Sequence, residues 1–344
     1  MASKRKKLPS PPSDHSKLFR FLKWSGGGVF ALAAGMGLTA FLGWQTYTCP
    51  GPLSIDQDIV VPHGNYATTL SALQNTGIIP ANWWSGRVFS IALVLTRGEG
   101  QLHAAELHFP ASVSIKQTLW ILRHGKPVQH KLTIPEGLTI WQIQALVQAA
   151  PLLTGDTPLP DEGSILPQTY TYLRNSPRKD LLAHMQASMT QMLKQIWAER
   201  ESGLPLGSPQ ELLTLASVIE KETAMPDERP SVARVFYNRL QKNMKLQTDP
   251  TVIYAITQGK PPLDRPLTHA DLQTASPYNT YIYTGLPPGP ICSPGKAALE
   301  AAAHPAKGDM LYFVANGTGG HNFAATLSDH NHNVLLLRKQ KASH

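Results

Sequence analysis

Residues 25–47 carry no charged side chain, and this stretch constrains the rest of the chain more than any other feature. As an α-helix it would be roughly 34 Å long, enough to cross a hydrocarbon core about 30 Å thick. Basic side chains dominate the segment before it, where Asp14 is the only acid. Because cytoplasmic flanks of membrane helices are rich in Lys and Arg, we predict a cytoplasmic basic tail at residues 1–23 and a single transmembrane helix at residues 24–47.

A cleavable signal peptide is the alternative interpretation of this N-terminal segment. Signal peptides have an apolar core of about 7–15 residues, whereas the apolar stretch here is longer. Trp24, Trp44 and Tyr47 lie at its ends, where interfacial aromatic side chains are common. Both features favour a retained anchor. Basic runs also bind nucleic acid, but the apolar neighbour assigns this one to the membrane, so no nucleic-acid partner is expected.

The exported part contains short strand–helix units. Residues 59–64 (I-V-V-P-H-G) resemble residues 132–137 (L-T-I-P-E-G), and apolar residues at helical spacing follow each copy. A looser third copy begins at Phe109. Units of this kind are typical of small α+β modules, so the predicted fold class is α+β.

A helix that contains an acid at the border of its apolar face is predicted to begin after Ser208. Ser208 is a good N-cap, Pro209 suits the first helical position, and Glu211 would complete a capping box. Glu220 borders the apolar stripe, so partial desolvation should raise its pKa. A carboxyl that stays protonated near neutral pH is what a general acid requires. The predicted stripe consists of Leu212, Leu215, Ala216 and Ile219.

Glu222 lies two residues further along the same helix. At about 3.6 residues per turn it is rotated by roughly 200° from Glu220, so the two acids cannot act as a pair on one face. Position alone also allows both to be surface charges, in which case Glu222 would bond to Arg229 or Arg234.

Six motifs in order carry a resemblance to a known family. They are A-S-V-I-E-K-E-T at residues 216–223, N-R-L at 238–240, L-Q-T-D-P-T-V-I-Y at 246–254, S-P-Y-N-T-Y at 276–281, G-L-P-P-G-P-I at 285–291 and A-A-A-H-P-A-K at 301–307. Together they resemble the YceG-like family of endolytic murein transglycosylases. The resemblance implies that Glu220 is the catalytic acid. It also implies a LysM-like subdomain at residues 55–130 and a lytic transglycosylase catalytic domain at residues 131–344. In the first part, Trp83, Trp84 and Trp120 are candidates for stacking on sugar rings. The alternatives are that these tryptophans are half-buried core residues and that the subdomain is a packing platform with no sugar affinity.

Polar residues within these motifs form the candidate substrate-binding set. Gln247 and Thr248 are expected to bond sugar hydroxyls or N-acetyl groups. Asp249 precedes a proline and is interpreted as a helix cap, with substrate contact as the alternative. Asn238 would orient the acid or a substrate amide, or else make a structural hydrogen bond. Glu222 is expected to support the site without touching substrate, and the set is completed by Tyr254, Tyr278 and Asn279.

The resemblance also implies the reaction. The substrate would be peptidoglycan, cleaved between N-acetylmuramic acid and N-acetylglucosamine to leave 1,6-anhydro ends and to terminate nascent strands. Glycosidases ordinarily use two carboxylates, and the single convincing acid here suits a nucleophile that belongs to the substrate. A hydrolytic muramidase and a non-catalytic glycan-binding scaffold are the alternatives.

Location, partners and cofactors follow from the same resemblance and from composition. The anchor would lie in the inner membrane with the catalytic domain in the periplasm, and cell-wall synthases such as penicillin-binding proteins would be partners. His321, His330 and His332 have no Cys or carboxylate set at ligand spacing, so neither a metal nor another cofactor is predicted.

Overall fold

The computed structural model describes residues 15–260 and 263–342, so the predicted basic tail lies outside them up to residue 14. The chain forms two compact units, Met1–Val128 and Gln129–His344. Helices and short antiparallel strands occur in both, which confirms the predicted α+β class.

The first unit begins with a long helix and continues with a small α+β core. Strands β1 and β2 pair antiparallel, with Gln57 opposite Phe109. Phe89 and Leu107 are among the fully buried side chains between the sheet and the helices. The elements are α1 (His15–Thr48), β1 (Gln57–Val60), α2 (Tyr66–Asn75), α3 (Trp83–Leu95), β2 (Glu106–Phe109) and α4 (Ile115–His124).

Within α1, the segment Val29–Thr48 is long and apolar enough to cross a membrane, and no other described helix is. The hydroxyls of Thr46 and Thr48, near the end of this helix, donate hydrogen bonds of 2.9 Å each to backbone carbonyls one turn earlier. Those bonds satisfy the hydroxyl donors within the helix itself.

The second unit is larger and is built around α7. Its elements are β3 (His130–Thr133), α5 (Ile140–Ala149), β4 (Thr169–Tyr172), α6 (Arg178–Glu199), α7 (Pro209–Glu222), α8 (Arg229–Gln241), α9 (Asp249–Thr257), α10 (Lys296–Ala303), β5 (Tyr312–Ala315), β6 (His321–Ala324) and α11 (Leu327–Ala342). β3 pairs with β4 and β5 with β6, both antiparallel.

Helix α7 is buried along most of its length because α6, α8, α9 and α10 pack around it. Every residue from Leu212 to Ile219 is buried, including the four that were predicted to face a core. Alanines such as Ala298 and Ala302 on α10 have small side chains, which permit a close helix–helix approach. A tightly enclosed α7 fixes the direction in which its last turn presents Glu220.

The start of α7 is confirmed and its capping box is wrong. Ser208 Oγ accepts the Glu211 amide at 3.2 Å, and Pro209 opens the helix. Glu211 Oε2, however, accepts from the Gly207 amide at 2.7 Å, one residue outside the cap. The carboxylate therefore satisfies a donor just outside the helix instead of the Ser208 amide.

The start of α9 corrects a second capping prediction. The cap is Thr248, whose backbone is extended, and Asp249 is the first helical residue. The Asp249 carboxylate accepts a hydrogen bond of 2.6 Å from the Tyr281 hydroxyl. This carboxylate therefore ties α9 to the loop at residues 276–281.

Candidate active site

Glu220 lies on the last turn of α7, and both of its carboxylate oxygens accept hydrogen bonds. Oε1 accepts from Arg229 Nη2 at 3.0 Å, and Oε2 accepts from the Gly295 amide at 2.9 Å. The side chain is only 6% exposed. Gly295 is the N-cap of α10, so its amide stands at the positive end of a helix dipole. The carboxyl is therefore held from two directions by donors that suit its ionised form.

Arg229 is shared between two carboxylates. Its Nη2 lies 3.0 Å from Glu220 and 3.6 Å from Glu136 Oε2. The guanidinium is 8% exposed, whereas the Glu136 side chain is 46% exposed. The arrangement therefore places a partly solvated carboxylate next to the buried one, with a single cation between them.

Two glycines allow the loops around Glu220 to approach closely. A Cβ atom on Gly295 would overlap the Glu136 carboxylate. Gly137 adopts a left-handed φ of 74° and packs against the Glu220 side chain. The Gly137 amide donates to Ser293 O at 2.9 Å, so the two loops are bonded to each other.

The loop that delivers Gly295 is fixed to α7 one turn before Glu220. Ser217 Oγ accepts from the Ile291 amide at 3.0 Å, and the Cys292 thiol donates to Ser217 O at 3.3 Å. Because Ser217 and Glu220 are three residues apart on one helix, they lie on the same face.

Burial sets the protonation of Glu220. Desolvation raises the pKa of its carboxyl, and the nearby Glu136 charge adds to that effect. The Gly295 amide, Arg229 and Lys221 act in the opposite direction, yet the net shift is upward. A buried carboxyl with a raised pKa, held beside a partly solvated surface, can donate a proton and later accept one.

Glu222 faces other residues, and the alternative in which it is a surface charge bonded to Arg229 or Arg234 does not hold. Arg229 bonds to Glu220 instead, and Arg234 Nε donates to the Ala306 carbonyl. Burial raises the pKa of Glu222, and the groups that act on this carboxyl electrostatically include Asp249 and His321. The two acids therefore belong to separate clusters, as the rotation between them predicted.

The motif at residues 246–254 lies beside Glu222, since Thr248 and Asp249 are both close enough to act on the pKa of this carboxyl. Thr248 is buried, whereas Gln247 and Asp249 are exposed. Gln247 has a left-handed φ of 51°, and its backbone N–H donates to the Thr280 carbonyl at 3.2 Å. The exposed pair is accessible to a ligand.

Asn238 and Asn279 use their amide groups within the fold. Asn238 Nδ2 donates to Gly308 O and Met310 O at 3.1 and 2.9 Å. Asn279 Nδ2 donates to Leu272 O and Thr274 O at 3.0 and 2.9 Å. In both cases the bonds favour the structural role over contact with substrate.

Tyr254 and Tyr278 form an aromatic pair, with ring centroids 4.8 Å apart. Both rings are partly exposed. A partly exposed aromatic pair is a suitable surface for stacking against a sugar ring.

Comparison with known proteins places the chain in a family. The model of the YceG-like family matches residues 59–335. The chain belongs to the YceG-like family. A Bacillus subtilis protein named endolytic murein transglycosylase is 44% identical over 173 residues, which are 50% of this chain and 46% of that protein. A Streptococcus pneumoniae protein of the same name is 30% identical over 351 aligned positions, covering 86% of this chain and 61% of that protein.

The chain thus spans about half to three fifths of the length of these relatives. A crystal structure of a YceG-like protein from Listeria monocytogenes is also similar, at 29% identity and a TM-score of 0.49 over 81% of this chain and 99% of that one.

Sequence reasoning missed three residues near Glu220: Glu136, Arg229 as the ion-pair partner of Glu220, and Gly295 as a hydrogen-bond donor to Glu220. Glu136 precedes a glycine in the I-P-E-G turn, and that E-G pair was its only local signal. Within the described ranges, no group of three His, Cys, Asp or Glu side chains is arranged to hold a metal ion.

Glu162, which also precedes a glycine, was missed in the same way. Its Oε1 accepts from the Ile140 amide at 3.0 Å and from the Gly163 amide at 3.3 Å. Burial raises the pKa of Glu162 to about 7. Gly137 and Gly163 both adopt a φ of 74°, so each E-G pair places a carboxylate just before a left-handed turn. Tyr254 lies next to Glu162.

Proposed function

We propose that this chain is an endolytic murein transglycosylase in which Glu220 serves as acid and then as base. The observation that carries the proposal is the buried Glu220 carboxyl, with its raised pKa, held between Arg229 and the Gly295 amide. Membership of the YceG-like family and the names of the relatives support the substrate class.

The mechanism needs one titrating group. Protonated Glu220 gives its proton to the oxygen that bridges N-acetylmuramic acid and N-acetylglucosamine, and the C1–O bond breaks. The resulting carboxylate takes the proton of the muramoyl C6 hydroxyl, whose oxygen closes onto C1. A 1,6-anhydro end forms, no water is consumed, and Glu220 is protonated again.

Arg229 and Gly295 act on the ionised stage of this cycle. When Glu220 has released its proton, Arg229 Nη2 and the Gly295 amide are already in place to stabilise the carboxylate. Preformed donors need no reorganisation at that moment. The Glu136 charge then favours reprotonation, because it opposes a second negative charge nearby.

A hydrolytic muramidase is the second candidate, and Glu136 is the observation that favours it. A second carboxylate next to the buried acid supplies the pair that ordinary glycosidases use. In that reaction Glu136 would activate a water molecule, and reducing ends would replace anhydro ends.

The remaining assignments extend the proposal beyond Glu220. Residues 131–344 form the catalytic domain, and residues 55–130 form a LysM-like subdomain. The helix α1 retains the protein in the inner membrane, with its N-terminus in the cytoplasm and the catalytic domain in the periplasm. Partners are glycan strands and cell-wall synthases. Gln247, Asp249, Tyr254 and Tyr278 are the substrate contacts that exposure and aromatic pairing support.

Mass spectrometry of the products tests the proposal. Purified sacculi are digested with the full-length protein in detergent, and the ends of the released glycans are identified. Ends in 1,6-anhydro-N-acetylmuramic acid support the lyase, and reducing ends establish the muramidase instead. If neither type accumulates above a Glu220→Gln control, the enzymatic proposal is wrong.

A further inference from the structure

Helix α3 exposes a row of large apolar side chains although its other face is already buried. The exposed fractions are 59% for Ile91, 61% for Val94 and 79% for Leu95. On the opposite face, Phe89 and Leu93 are buried in the core of the first unit. Apolar side chains that are exposed next to one another point to a contact surface, whereas singly scattered ones do not.

A groove of about 890 Å³ lies between α3 and the apolar segment of α1. Its α3 side includes Val88, Ile91 and Leu95, and its α1 side includes Leu32 and Met36. Almost all of the groove wall is therefore apolar, and it offers few groups that could bond the hydroxyls of a sugar.

Direct contacts tie α3 to the outer end of α1. Trp84 Nε1 donates to Thr46 Oγ1 at 2.9 Å, two residues before α1 ends at Thr48. Tyr47 packs against the same apolar core that α3 helps to form. The position of α3 beside α1 is thus fixed by an apolar contact and a hydrogen bond.

The first turns of α3 have the residue types that favour a lipid headgroup region. Trp83 is 70% exposed, and the Arg87 guanidinium lies 5.5 Å from the centre of its ring. Tryptophan and arginine can hold a polar tip in the headgroup layer while their apolar parts reach towards the acyl chains.

Continuity with α1 identifies the occupant. Val29–Thr48 buries none of its most apolar window within the protein, so those side chains need an apolar phase. The groove opens onto the same residues. Whatever surrounds α1 there also reaches Ile91 and Leu95.

We infer that α3 is a second membrane-contacting element, with acyl chains filling the groove between α3 and α1. This inference rests on the proposed membrane anchor. It assigns Trp83 to the lipid interface and not to a sugar ring.

Site-directed fluorescence in vesicles tests the inference. Full-length protein with Cys49→Ser receives one new cysteine, at Ile91 or Val94, and is labelled with an environment-sensitive dye; Cys292 is buried and can stay. Leu38→Cys on α1 reports on the anchor, and Ser71→Cys on the exposed face of α2 is the near-isosteric control. The vesicles contain phosphatidylcholine and phosphatidylglycerol, with or without bromine on the acyl chains.

Quenching by brominated lipid should remove most of the emission at residues 91, 94 and 38 and leave residue 71 unchanged. If the dyes at residues 91 and 94 are unquenched, like the dye at residue 71, while the dye at residue 38 is quenched, the inference is overturned and the anchor remains. A change at 91 and 94 only when glycan strands are added would overturn it in favour of a glycan surface. Loss of quenching at residue 38 would remove both the anchor and the inference, whereas glycan turnover by the same proteins reports on Glu220 separately.

Discussion

The Glu220 carboxylate accepts a 2.9 Å hydrogen bond from the backbone amide of Gly295, which caps the N-terminus of α10. Seventy-five residues separate the two in sequence. The bond connects the end of the central helix α7 to the start of its closest neighbour, so packing of these helices sets the position of the acid.

Gly295→Ala should impair turnover more than it impairs folding. A Cβ at this position overlaps the Glu136 carboxylate, so either the Glu136 side chain must leave its place beside Arg229, or the loop must shift and take the Gly295 amide away from Glu220. A misplacement of about 1 Å costs on the order of 10² in rate. Turnover and thermal unfolding of the purified variant measure the two effects. Gly207→Ala, which meets only ordinary contacts, is the matched control.

A double variant makes the cause of that loss explicit. If the clash with Glu136 is responsible, Glu136→Ala with Gly295→Ala should be no slower than Glu136→Ala alone. The explanation would be contradicted if adding Gly295→Ala to the Glu136→Ala protein slowed turnover by the same factor as adding it to the wild type.

Glu136→Gln should move the alkaline limb of the pH–rate profile to lower pH. The Glu136 charge raises the pKa of Glu220, so its removal lets Glu220 ionise at a lower pH and lose its acid function earlier. The profile of kcat against pH measures this, with the exposed Glu201→Gln as control. An unmoved limb would show that Glu136 does not act on Glu220. If Glu136→Gln were completely inactive and the wild-type protein produced reducing ends, Glu136 would be the base.

The beginning of α7 and the burial of Glu220 were predictable because both depend on local sequence. Ser208 and Pro209 act within one turn, and the apolar residues from Leu212 onward place Glu220 next to a buried segment, although that segment is buried on every side and not only along the predicted stripe. The same reasoning separated Glu220 from Glu222.

The partners of Glu220 were not predictable because they are distant in sequence. Arg229 is on the next long helix, and Gly295 arrives on a loop that Ser217 fixes to α7. Periodicity carries no information about such contacts. The capping errors at Glu211 and Asp249 have a related cause, since each carboxylate found a donor outside the position that local spacing assigns to it.

Glu162→Gln should make stability less dependent on pH. The folded pKa of Glu162, about 7, exceeds its ordinary value of 4.5, so the folded state binds the extra proton between these values. Stability from this group is therefore full below pH 4.5 and is lost as pH rises to about 7. The glutamine side chain of the variant does not titrate, and its oxygen can still accept from the backbone N–H of Ile140.

Denaturant unfolding at pH 4.5 and pH 8 measures the effect. Relative to wild type, the variant should gain on the order of 2 kcal/mol at the higher pH, allowing for partial solvent screening. Asp161→Asn, at an exposed neighbouring position, should show no such trend. A gain that is equal at both pH values would contradict the burial of an acid at residue 162.

Turnover of purified sacculi by Glu220→Gln tests the central claim most directly. The amide preserves size and keeps one acceptor oxygen, for either Arg229 or the Gly295 amide, but it cannot protonate the leaving oxygen, so a loss of about 10²–10⁴ is expected in a variant that remains folded. Glu222→Gln and the exposed Glu211→Gln, on the same helix, should retain most of the activity. Near-wild-type turnover by folded Glu220→Gln, or inactivity of Glu222→Gln at unchanged stability, would contradict the assignment of Glu220 as the acid.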